Sequence, residues 1–163
     1  MKVNEVIRKS LEDAHGIATA LFTDMRDQPF TTYKGANTPY WLLGHVTCAE
    51  ASLLDQYLSG RPNRYAAWAP MFGPGSTPQN AQNGGPAYDE LLDAYKTVHA
   101  DVLNYVDHLD PASLTNPCHK PDTPGPAFET ISDCLSALSL HTSLHAGQMM
   151  DARRAAGKPR MFL

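Results

Sequence analysis

No cluster of basic residues, no long apolar run and no Cys-x-x-C pair occurs in this chain of 163 residues. Each absence excludes something. Binding to a nucleic-acid backbone needs a concentrated positive face, whereas the formal net charge here is -4 and only 18% of residues are charged. The basic residues near the end, Arg153-Arg154, Lys158 and Arg160, are too few to make such a face. Apolar runs of a few residues span no bilayer, and the charged segment Met1 to Glu12 lacks the apolar centre of a signal peptide. Three cysteines, Cys48, Cys118 and Cys134, are an odd number without disulfide or metal spacing, which reads as a cytoplasmic protein with reduced thiols. Internal repeats, low-complexity segments and strand-like alternation are also missing. The length suits one domain, residues 1–163, with a substantial core.

What is present is helical periodicity. Val3, Ile7, Leu11, Ala14, Ala18, Leu21 and Met25 recur at steps of three and four, predicting an amphipathic helix over 4–25. Thr38-Pro39 is a helix start, with threonine as N-cap and proline in the first turn. The second helix should run over 39–58 and stop before Gly60 and Pro62. Tyr88, Leu91, Leu92, Tyr95, Val98, Val102 and Val106 predict a third over 87–109, ended by Asp110-Pro111. A fourth, over 127–156, carries Phe128, Ile131, Cys134, Leu135, Leu138, His141, His145, Met149 and Ala152, and stops at Gly157-Lys158-Pro159. Four such stripes make an all-α, four-helix bundle.

Arg61 to Pro86 is a long connection rich in glycine and proline, with Trp68, Met71 and Phe72 embedded. Loops of this length inside compact domains are functional or forced by topology. If the second and third helices run parallel, the chain must return the length of a bundle, about 30 Å for 20 residues. The Trp68 to Phe72 patch either anchors that crossover or walls a pocket.

Chemistry concentrates on three histidines. His141 and His145 stand four apart, one helical turn above the other, on the stripe expected to be buried. His45 falls in the middle of the second helix's stripe. Each could satisfy its ring by bonding a backbone carbonyl, but three inward imidazoles on facing helices are better satisfied by one divalent cation. Zinc, nickel and iron(II) all suit imidazole, so the donors do not choose among them. Three protein ligands leave a coordination position open, as in catalytic sites; structural sites are closed by four. Carboxylate-bridged di-iron bundles need glutamates on several helices together with paired Glu-x-x-His motifs, a combination not carried here. Gln148, one turn beyond His145, either hydrogen-bonds the site or makes a helix–helix contact; His99 is placed on the edge of the buried stripe, and His15, His108 and His119 on the surface.

Gly44-His45, the run His141-Thr142-Ser143-Leu144-His145-Ala146-Gly147-Gln148, Arg153-Arg154 and Gly157-Lys158-Pro159 together resemble the DinB-like (DinB/YfiT-like) metalloenzyme family over the whole chain. The resemblance implies an up-down-down-up bundle, with the long crossover between helices two and three. It also implies a metal held by His45, His141 and His145, a low-molecular-weight thiol as co-substrate in some relatives, and a homodimer. The expected function is a metal-dependent hydrolase or thiol S-transferase acting on a small molecule, without nucleic-acid or membrane partners. The alternative is a non-catalytic metal- or ligand-binding bundle.

Overall fold

The computed structural model describes residues 2–78, 84–120 and 128–161. Within them the chain is all-helical, with one isolated bridge, Pro117 to Thr130, in place of any strand. No helix among these residues is long and apolar enough to cross a membrane.

Helix α1, Val3–Asp24, buries Leu11, Ala14, Ala18, Leu21 and Phe22 along one face. Helix α2, Pro39–Ser52, begins as the sequence requires: the Thr38 side chain accepts a hydrogen bond from the Trp41 amide at 3.2 Å, and Pro39 occupies the first turn. It continues into a π-helical turn, Leu53–Leu58, closed by Gly60 at φ +64°. Asp55 in that turn is buried and binds Arg64 Nε at 2.9 Å and Arg64 NH2 at 2.8 Å. The crossover then forms a 3-10 turn, Ala66–Trp68, and a short helix α3, Ala69–Phe72. Helix α4 is Tyr88–His108, followed by a 3-10 turn, Pro111–Thr115.

Helix α5, Ile131–Ala155, starts four residues later than its periodicity suggests. The reason is local. Thr130 and Asp133 form a capping box, each side chain holding the other's backbone amide, and this fixes the first turn. Ala127, where the fourth helix was expected to start, lies outside the described residues, as do 79–83 of the crossover.

Helix α2 departs from a one-sided stripe. Tyr40, Trp41, Leu42, Leu43, Gly44, Val46, Thr47, Cys48, Glu50 and Ala51 are all buried, so apolar contact surrounds the helix. The crossover supplies the extra cover, because Phe72 is 0% exposed and its ring lies directly on Gly44.

Helix α1 packs against α4 and α5, and α2 packs against the same pair. Cross-helix bonds fix the levels at which they meet. Asn4 Nδ2 donates to the Val106 and Leu109 carbonyls at 2.9 and 2.8 Å, and the Tyr88 hydroxyl donates to the Phe22 carbonyl at 2.8 Å. The Ser10 and Ser139 hydroxyls are 2.8 Å apart, and Arg153 Nε donates to Asp24 Oδ2 at 2.7 Å. The Tyr40 hydroxyl donates to the Pro86 carbonyl at 2.7 Å, while Asn37 Nδ2 reaches Gln148 Oε1 at 3.2 Å. Arg153 is thus a buried tie between α1 and α5.

Candidate metal centre

His45 comes from α2 and is held from two sides. Its Nδ1 donates to the Phe72 carbonyl at 2.7 Å, since a carbonyl can only accept. That bond fixes the tautomer and leaves Nε2 with a free lone pair. The Trp41 indole, one turn earlier, stacks on the imidazole at 4.6 Å between centroids and 10° between planes. Trp41 is in turn anchored by its Nε1, which donates to Ser76 Oγ at 3.0 Å. Gly44 makes the arrangement sterically feasible. A Cβ at this position would sit 2.3 to 2.5 Å from Phe72 ring atoms, far inside van der Waals contact. The Trp68 to Phe72 segment is therefore a wall of the site, and the Gly-His pair has a packing reason.

His141 and His145 come from α5. Their Nε2 atoms face each other at 3.1 Å, and the rings are nearly perpendicular, at 76°. Gln148 Oε1 accepts from Asn37 Nδ2 and lies 3.3 Å from His145 Nδ1. Gln148 thus offers that nitrogen an acceptor and turns the Nε2 lone pair inward. His45 completes the group, with ring centroids 5.1 Å from His141 and 4.8 Å from His145. One ligand nitrogen of each residue lies within 4.8 Å of the others. Among the described residues this is the one set of three or more His, Cys, Asp or Glu side chains so disposed.

The donor set fits a divalent cation. Two nitrogens each bonded at about 2.0–2.1 Å to one ion stand about 2.8–3.4 Å apart at octahedral to tetrahedral angles. The 3.1 Å between His141 and His145 matches that range without rearrangement. Burial lowers all three pKa values. His141 falls to about 3, through burial first and then through His145 and His45; His145 falls to about 4, through burial and His45, opposed by its contact with Gln148. His45 is lowered by burial, opposed by the Phe72 carbonyl. All three are neutral at physiological pH, as ligation requires.

The three sequence candidates therefore meet, though not at the depth the stripe implies. The α5 residues that face the core are Leu138, Thr142, Ala146 and Met149, so His141 and His145 lie one position off it and are half-buried. His45 is half-buried too. The site lies at the edge of the helical core, which suits access by a small molecule. His99 does not join it: it is buried elsewhere and faces Glu50. His108 and His119 are exposed as expected. His15 is not a surface residue, for its ring is sandwiched between Tyr95 and His99. The missed signals were Glu50, a charged residue inside an apolar helical run, and the Phe72 carbonyl, which no side-chain pattern reveals.

Two comparisons place this geometry among known proteins. A crystal structure of a conserved protein from Enterococcus faecalis superposes with a TM-score of 0.74 at 20% sequence identity, covering 97% of this chain and 99% of that one, so the two share a fold. None of the curated proteins matches the chain. The sequence model of the DinB superfamily matches residues 7–149, which include all three histidines, and the chain belongs to that superfamily.

Proposed function

We propose that the protein is a metal-dependent enzyme in which His45, His141 and His145 hold one divalent cation, zinc, nickel or iron(II), with a coordination position left open. The observation that carries this reading is the convergence of three neutral imidazoles at the edge of the helical core, with no fourth His, Cys, Asp or Glu in the group among the described residues. An open position distinguishes catalytic from structural sites. When bound, the cation would supply a Lewis acid that lowers the pKa of a water or thiol to near neutrality. The chain's own part is orientation. Phe72 and Gln148 fix the rings of His45 and His145, Trp41 covers one face of His45, and the apolar surroundings keep the ligands unprotonated. The reaction class proposed is hydrolysis or thiol S-transfer on a small molecule, with a low-molecular-weight thiol as co-substrate in the second case.

The same reading takes the four long helices as one up-down-down-up bundle. The cross-helix bonds support it: numbering rises together on α1 and α5 and on α2 and α4, and in opposite senses on α1 and α4 and on α2 and α5. We also propose a homodimer. The outer face of α5 supports it, with Leu140 and Leu144 62% and 61% exposed one turn apart.

The test is metal analysis of protein purified without added metal, followed by a panel of thiols and ester or amide acceptors assayed with and without chelator. Turnover that disappears with chelator and returns with one metal is the expected result. Stoichiometric metal without turnover on any substrate would favour a non-catalytic role, and protein that takes up no metal would refute the reading.

A further inference from the structure

A second polar cluster lies in the core and draws on all four long helices. Glu50 of α2 is 5% exposed, and its Oε1 is 3.1 Å from His99 Nδ1 of α4. The His99 ring stacks on His15 of α1 at 3.6 Å and 11°, and His15 stacks on Tyr95 of α4 at 4.2 Å and 27°. Thr142 of α5 is buried beside this group, and Phe22 closes it with an edge-on contact to Tyr95. His15 Nδ1 is 3.2 Å from Thr19 Oγ1.

Three polar atoms of this cluster are fully buried and have no hydrogen-bond partner among the described residues: Glu50 Oε2, His15 Nε2 and the Tyr95 hydroxyl. One such atom in a core is an oddity. Three in one cluster, from three helices, is a pattern, because buried polar groups in native proteins are almost always bonded. Thr142 is the side chain that bears on the Tyr95 phenol, yet the hydroxyl makes no well-formed hydrogen bond, so a further partner has to be small and able to donate as well as accept.

We propose that this cluster is an internal binding site for water, with at least one molecule donating to Glu50 Oε2 and bonded to the Tyr95 hydroxyl or His15 Nε2. Water is favoured over a cation on two grounds. Glu50, His99 and His15 do not bring three ligand atoms together as the triad does. Burial also favours the uncharged forms of the residues concerned: it raises the Glu50 pKa and lowers that of His15 to about 3, so the occupant need not bring charge. The Tyr95 phenol is raised well above its ordinary value by burial and then by Glu50, with Thr142 acting in the opposite sense, and stays a donor. Globular proteins hold about one buried water per 27 residues, each typically with about three bonds, so such a site is in scale with a chain of 163 residues.

The site is independent of the metal reading, and its test needs no substrate. A high-resolution crystal structure should show a peak at hydrogen-bond distance from Glu50 Oε2 and from the Tyr95 hydroxyl or His15 Nε2. Tyr95→Phe, measured by denaturant unfolding, gives the second readout through its sign. A hydroxyl bonded to water stabilises the fold, so its removal should shift the folding equilibrium about fivefold toward the unfolded state. A hydroxyl buried dry is a burden, and its removal would stabilise. Density at the position together with a destabilised Y95F variant upholds the proposal. No density at that position, a peak with the anomalous signal of a metal, or a stabilised Y95F variant overturns it.

Discussion

Gly44→Ala adds one methyl group and tests whether the crossover controls the proposed metal centre. The new Cβ would fall 2.3 Å from the Phe72 ring, against about 3.4 Å or more for an ordinary contact. The ring must retreat by about 1 Å, and it sits in a close-packed core where Trp68 and Tyr40 press on it from other sides. Overpacking of this kind costs about 1–3 kcal/mol of stability. The more diagnostic effect is on His45. Moving Phe72 lengthens the 2.7 Å bond from Nδ1 to its carbonyl, which frees the ring and its tautomer. Loss of such a supporting bond reduces metal affinity about 10- to 100-fold. Calorimetric titration with zinc measures it, and the imidazole nitrogen shifts of the metal-free protein report the His45 tautomer directly. Pairing G44A with Phe72→Ala removes the clash while keeping the carbonyl, and should recover part of the affinity. If G44A lowers stability but leaves affinity and tautomer unchanged, the crossover is mere cover and the reasoning fails.

Alanine at His141 or His145 should weaken metal binding by at least about 100-fold, whereas His119→Ala, on an exposed ring, should leave it unchanged; equal titrations for all three would contradict the site. Metal affinity should fall at a pH clearly below 6.5, since burial lowers the pKa of all three rings, His141 to about 3 and His145 to about 4; loss centred on 6.5 would show the rings to be solvated. The metal-free fold should lose stability over the same range. The folded pKa values of His15, His141 and His145 lie below the ordinary value of 6.5, so the unfolded chain takes up protons that the folded one refuses, and stability present above pH 6.5 declines below it. Denaturant midpoints at pH 7.5 and 5 check the sign, and a higher midpoint at pH 5 would refute it. Light scattering at micromolar concentration should give twice the chain mass, falling to one chain mass when Leu140 and Leu144 are both replaced by glutamate; a monomeric parent protein would sink the dimer.

The helices and the triad were legible in the sequence because both rest on periodicity. Helical spacing brings His141 and His145 to one face whatever the tertiary context, and Thr38-Pro39 and Gly157 mark helix ends by local backbone chemistry. Depth was harder to read. His141 and His145 shift off the buried stripe because Thr142 and Ala146, small enough for close helix contact, take the core-facing positions. The His15 error has the same origin. A periodic stripe scores side chains by polarity, whereas His15 is covered by flat stacking on His99 and Tyr95, which polarity does not register. The carbonyl of Phe72 was invisible for another reason: a backbone atom 27 residues away becomes a partner only once the crossover has folded back on Gly44.

The central claim, one divalent cation on three imidazoles, is tested most directly by X-ray absorption at the metal edge on protein purified without added metal. A single ion per chain with three imidazole nitrogens at about 2.0–2.2 Å and a further position filled by a light atom is the predicted spectrum. Absence of metal after incubation with zinc, nickel and iron(II), or a first shell unchanged when His45, His141 and His145 are replaced together, would contradict it.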